Sequence, residues 1–112
     1  MFRTSPPSAE PITLAEAKTQ IRVDAEQIDE DGLIQAFISA AREFAETFTG
    51  LEIDGQTIKD DLGQTYPLPH SIRAAMLLMI EFLYENRGDE SKAVPSGIEA
   101  LLRFYRIRKG CA

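Results

Sequence analysis

Apolar residues recur along the chain at helical rather than strand spacing, and they mark out four segments. In the first, Thr13 and Glu16 stand three residues apart around Leu14, the pattern of a capping box, which predicts a short helix through about Ile21. Leu14, Ala17 and Ile21 form its narrow buried stripe, flanked by the aliphatic stem of Lys18. A second helix is predicted from near Asp29 to Thr49, with Gly50 as its C-terminal stop. Two adjacent stripes run along it, Leu33, Phe37, Ala40, Phe44 and Phe48 beside Ile34, Ile38, Ala41 and Ala45. So wide an apolar face requires more than one neighbour.

Pro67 and Pro69 set up a third helix that starts near His70 or Ser71 and ends at Asn86-Arg87-Gly88. It is apolar almost all round from Ile72 to Tyr84, and only Arg73, Glu81 and Glu85 are charged. In a water-soluble fold such a helix is either central or covered by another subunit. The last helix is predicted from the Val94-Pro95-Ser96-Gly97 turn through about Lys109, with Ile98, Leu101, Leu102 and Tyr105 on its core face. Phe104 and Ile107 form a second apolar strip on that helix.

The period breaks between Leu51 and Leu68. Asp54-Gly55, flanked by Ile53 and Ile58, is a hairpin signal, but its flanks are too short and polar to specify strands, so the segment reads as a loop with at most a small hairpin. Residues 1–11 hold three prolines and few apolar side chains, which predicts a flexible or extended arm, and residues 110–112 form a short tail. The expected fold is all-α: a single domain over residues 12–109, a bundle of about four helices with an irregular or hairpin-like insertion between helices 2 and 3.

Composition narrows the chemistry. With 112 residues and 44% hydrophobic content the chain supports one core. Twelve basic against eighteen acidic residues give a net charge of −6, which opposes avid whole-surface binding to nucleic acid phosphates. The longest uninterrupted apolar run, Ala74 to Ile80, is far short of the roughly 20 residues of a membrane span. The N-terminus has no apolar signal core, so a cytosolic chain is expected. One cysteine, Cys111, and one histidine, His70, exclude an internal disulfide and a Cys-based zinc site within one chain, leaving carboxylates as the only metal ligands in number.

Five acidic residues fall between Asp24 and Asp31, but they lack the order of a calcium loop and Gly32 is misplaced for one. The cluster reads instead as an acid-rich helix start that suits the positive end of the dipole. His70 reads as a solvated first-turn residue and Cys111 as an exposed tail thiol. There is no nucleophile with a base, no Gly-rich phosphate loop and no cofactor motif, so no catalytic, cofactor or metal residue is expected and the chain is not expected to be an enzyme. One asymmetry remains. Arg103, Arg106, Arg108 and Lys109 put four cations into seven residues of an acidic chain, and with Phe104 and Ile107 they form a candidate partner-binding surface. The same cations would also complement a helix C-terminus, and Arg103 or Arg106 could pair with Glu81 or Glu85.

The order of these pieces resembles a known family. Thr13-Leu14-Ala15-Glu16-Ala17-Lys18, then Ile21-Arg22-Val23-Asp24, an acidic stretch, and a helix with Ala40-Ala41-Arg42 and Glu46 are similar to the small head-tail connector proteins of long-tailed bacteriophages and prophages. Pro69, Ile72, Ala75, Leu78 and Leu83-Tyr84-Glu85-Asn86-Arg87, followed by Val94-Pro95, Ile98, Leu101-Leu102 and Tyr105-Arg106, extend the likeness over residues 12–106. The segment from Leu51 to Leu68 is shorter than the strand-bearing insertion of some relatives, and the Pro-rich arm does not align. The resemblance implies a virion structural protein that forms a homo-oligomeric ring of about twelve copies beneath the portal. Such a ring joins the capsid to tail completion proteins and gives DNA a conduit without sequence-specific binding. It implies assembly in the host cytoplasm and residence at the head-tail junction. An isolated chain that stays monomeric is compatible with it. The alternative is a small cytosolic helical adaptor or regulatory protein that binds a partner through the same apolar faces.

Overall fold

A computed structural model describes residues 9–89 and 91–106. The elements in chain order are α1 (Leu14–Gln20), α2 (Asp31–Thr49), β1 (Glu52–Asp54), β2 (Thr57–Lys59), β3 (Thr65–Pro67), α3 (His70–Glu85) and α4 (Ser96–Arg103). The capping box is formed at α1. The Glu16 amide donates to Thr13 Oγ1, and the Thr13 amide donates to Glu16 Oε1. α1 ends in a Schellman turn, with the Val23 amide on the Lys18 carbonyl at 2.9 Å, and Arg22 takes the left-handed position at φ 61°. Gly50, at φ 80°, closes α2 where a side chain would be strained.

The all-α expectation is wrong, because Leu51 to Leu68 folds as a three-stranded antiparallel sheet of order β1-β2-β3. The fold is α+β. Each strand has three residues, and in β1 and β2 only the middle one points inward: Ile53 and Ile58, which are also cross-strand partners. One apolar residue per strand is too little for alternation to show in the sequence. The turn itself is Gly55-Gln56, with Gly55 at φ 58° in the first central position, where a type II′ hairpin favours glycine. The sheet is also fastened from outside. Ile53 donates its amide to Glu46 Oε2 at 2.8 Å, and Gly55 donates to the Ala9 carbonyl at 2.9 Å.

α3 is central, packed against α1, α2 and α4. Ile72, Ala75, Met76, Met79 and Ile80 face the core, where they meet Ile34, Ile38, Ala41 and Ala45 of α2 and Ile98 and Leu102 of α4. Of the two stripes on α2, this second one is buried, whereas Leu33 and Ala40 are exposed and Phe37, Phe44 and Phe48 are half-buried. α4 is shorter than its sequence pattern predicts. Beyond Arg103 the bonds tighten to Tyr105 amide on Leu102 carbonyl and Arg106 amide on Arg103 carbonyl, a 3₁₀-type ending. Ile107, Arg108, Lys109 and Cys111 lie outside the described residues.

Candidate functional site

Three ion-pair centres fix how the helices present their outer faces. Arg42 is buried on α2, 6% exposed. Its Nε donates to Glu10 Oε1 at 2.8 Å and its Nη1 to Glu46 Oε1 at 2.7 Å. The other Glu10 oxygen accepts from Ser39 Oγ at 2.8 Å, so this one cluster joins the residues before α1 to α2 and, through Glu46, to β1. Lys18 is the second centre, 4% exposed. Its ammonium donates to the Ala25 and Gln27 carbonyls at 3.2 and 2.8 Å and pairs with Asp31 Oδ1 at 2.7 Å. The acid-rich stretch thus folds around a buried cation. The third centre is Glu30, which accepts from Tyr84 Oη and Arg87 Nη1, both at 2.8 Å, while the Arg87 guanidinium lies 4.3 Å from the Tyr84 ring centroid.

Arg73 adds a smaller tie between α3 and the start of the domain, pairing with Glu16 and donating to the Pro11 carbonyl. The hydroxyl and then the amide of Ser91 hold the Asp89 carboxyl below its ordinary range in the loop after α3.

Apolar surface remains on the outside of the helices among the described residues. Phe44 and Phe48 stack at 6.2 Å on the half-buried stripe of α2. Between α3 and α4 runs a groove of about 310 Å³ lined by Leu78, Phe82, Pro95, Gly97 and Ile98, with Glu81 and Glu85 also on its walls. Of the candidate partner residues, Arg103 is exposed at the end of α4, Phe104 is 91% exposed, and Arg106 lies 5.0 Å over the Phe48 ring. Among the described residues neither arginine pairs with Glu81 or Glu85. The structure therefore brings Arg103, Phe104 and Arg106 to the same end of α4.

Catalytic geometry does not emerge among the described residues. No group of three or more His, Cys, Asp or Glu side chains could hold a metal ion, and no helix is long and apolar enough to cross a membrane. His70 opens α3 and is exposed. A cleft of about 410 Å³ beside the sheet is lined by Ala9, Glu52, Asp54, Gly55, Thr57, Lys59 and Thr65, and there the Thr57 hydroxyl donates to the Asp54 carbonyl.

Comparison with known proteins identifies the family. The profile of the family described as phage gp6-like head-tail connector protein matches residues 11–109. The chain belongs to that family. This connector is thus a structural protein of the phage head-tail junction. Its fold is similar to the crystal structure of bacteriophage HK97 gp6, with a TM-score of 0.63 and 21% identity over 87% of this chain and 94% of that one. No curated protein sequence matches the connector.

The α3/α4 groove and the burial of both cations are not evident in the sequence. Their traces were present: a third helix with no polar face, a lysine inside an apolar stripe, and an Arg42-Glu46 pair one turn apart. The partners that complete them, Glu10 for Arg42 and the Ala25 and Gln27 carbonyls for Lys18, depend on tertiary placement.

Proposed function

We propose that the connector assembles as a closed ring of about twelve copies beneath the portal, with tail completion proteins on its far side and DNA passing through. The family match over residues 11–109 carries this reading. The half-buried aromatic stripe of α2 and the open groove on α3 support it, since a ring of heterologous contacts is one way to cover such surfaces. Charge supports the conduit as well. Twelve copies at −6 each total about −72, and a channel that neutralises few phosphates adds little salt-dependent hold on the strand. The basic segment Arg103, Phe104, Arg106, Ile107, Arg108 and Lys109 supplies a contact to portal or to a neighbouring copy. Assembly takes place in the host cytoplasm, before the connector is built into the virion.

Negative-stain electron microscopy of the purified chain, alone and mixed with purified portal rings, tests the proposal. Rings of this protein, on their own at high concentration or seated on the portal, are expected. A chain that stays monomeric at every concentration and does not sediment with portal would leave the small-adaptor alternative in its place.

A further inference from the structure

We infer that the groove between α3 and α4 receives the basic C-terminal segment of a second copy of this chain. The inference rests on the ring reading above and names the contact that closes the ring. Charge complementarity is its first support. Leu78, Phe82 and Ile98 give the groove an apolar lining and Glu81 and Glu85 give it negative charge, with Leu78 and Glu85 exposed. The segment has the matching pattern in sequence: Phe104 and Ile107 are three residues apart, among Arg103, Arg106, Arg108 and Lys109. An acidic groove in an acidic protein repels most of that protein's own surface. This segment is its most concentrated run of positive charge.

The second support is what Phe104 does in the fold. A phenylalanine 91% exposed at a helix end, next to exposed arginines, contributes nothing to its own core. Buried in a partner it would be an anchor of the aromatic kind that dominates interfaces.

Position on the helix supplies the third argument. The groove is built on the first turn of α4, from Pro95, Gly97 and Ile98, whereas the segment leaves from the last turn, where Arg106 lies over Phe48 of α2. Donor and acceptor surfaces therefore sit at opposite ends of one helix. Docking between copies is then head-to-tail, the heterologous type of contact that repeats from copy to copy and closes into a ring when the rotation permits.

Disulfide trapping between full-length chains tests this. Both partners carry Cys111→Ser; one adds Leu78→Cys in the groove and the other Arg103→Cys on the segment, beside an intact Phe104. Each position is exposed, and unchanged thermal melts confirm folding; Glu85→Cys replaces Leu78→Cys if the first variant melts early. Under oxidising conditions in which the parent chain forms rings, the mixture is expected to give a cross-linked dimer, at roughly tenfold the yield of either variant alone. Adding Glu85→Lys to the Leu78→Cys chain, or Glu81→Lys to the Glu85→Cys chain, is expected to cut that yield about tenfold, because like charges then face each other. A chain carrying both cysteines should give a ladder of multimers. Rings without a cross-link between these positions, or a doubly substituted chain that closes only on itself, would overturn the docking and leave the ring reading standing. Absence of any assembly, with or without portal, would overturn both.

Discussion

Replacing Arg42 with alanine is expected to destabilise the connector by about 3 kcal/mol, the usual cost of removing one partner from a buried ion pair. The melting temperature should fall by roughly 10 to 20 °C. The reason lies in what stays behind. Glu46, with a side chain only 12% exposed, would lose its guanidinium while still accepting the Ile53 amide, and Glu10 would lose its tie to α2. The loss should spread from α2 into the start of β1, which hydrogen exchange at Ile53 would read. Combining Arg42→Ala with Glu46→Gln tests the cause: the glutamine removes the charge that Arg42 balances yet keeps an acceptor for Ile53, so the pair should cost clearly less than the sum of the single changes. A loss below about 1 kcal/mol for Arg42→Ala in urea denaturation would mean that the cluster contributes little.

Lys18→Met should have a comparable effect by a different route. Methionine keeps the packing of the stem beside Ala17, so the change isolates the ammonium. Without it the Ala25 and Gln27 carbonyls and Asp31 lose the cation that gathers them. Hydrogen bonds to a charged group contribute about 1.5 to 3 kcal/mol each, but the loop can turn its carbonyls to water, so a net loss of about 3 kcal/mol is expected. Residues 23–30 should exchange faster and become sensitive to protease while the α2–α3 core keeps its protection. Unchanged exchange in that loop would show that another contact holds it.

How far the fold could be read from the chain depends on where each signal resides. α1 is announced by residues three apart, and the bonds between Thr13 and Glu16 form as the pattern implies. α2 and α3 are long enough for periodicity to set their limits within a residue or two, and Gly50 marks a true left-handed stop. The sheet fails this test for a physical reason. Its strands are three residues long, with single inward isoleucines in β1 and β2 and an exposed β3, and its amides are satisfied partly by Glu46 and Ala9 from outside the segment. Non-local bonds leave no local pattern. α4 ends earlier than its pattern implies, because the apolar spacing continues through Tyr105 while the backbone leaves the helix after Arg103.

The candidate surface was legible in part. The basic run at the C-terminus stands out in an acidic sequence, and the structure places Arg103, Phe104 and Arg106 outward with no ion pair to Glu81 or Glu85. The groove was not legible, because it joins Leu78 and Phe82 of α3 to Pro95 and Ile98 across a loop. Helical periodicity shows only that α3 has more apolar surface than one core face needs.

This protein is a structural component of the phage head-tail junction. Interrupting its gene in the phage or prophage that carries it, and imaging the lysate by electron microscopy, tests that role. Heads and finished tails should accumulate unjoined, and supplying the chain in trans should restore whole particles. Joined, infectious particles made in its absence would contradict that role.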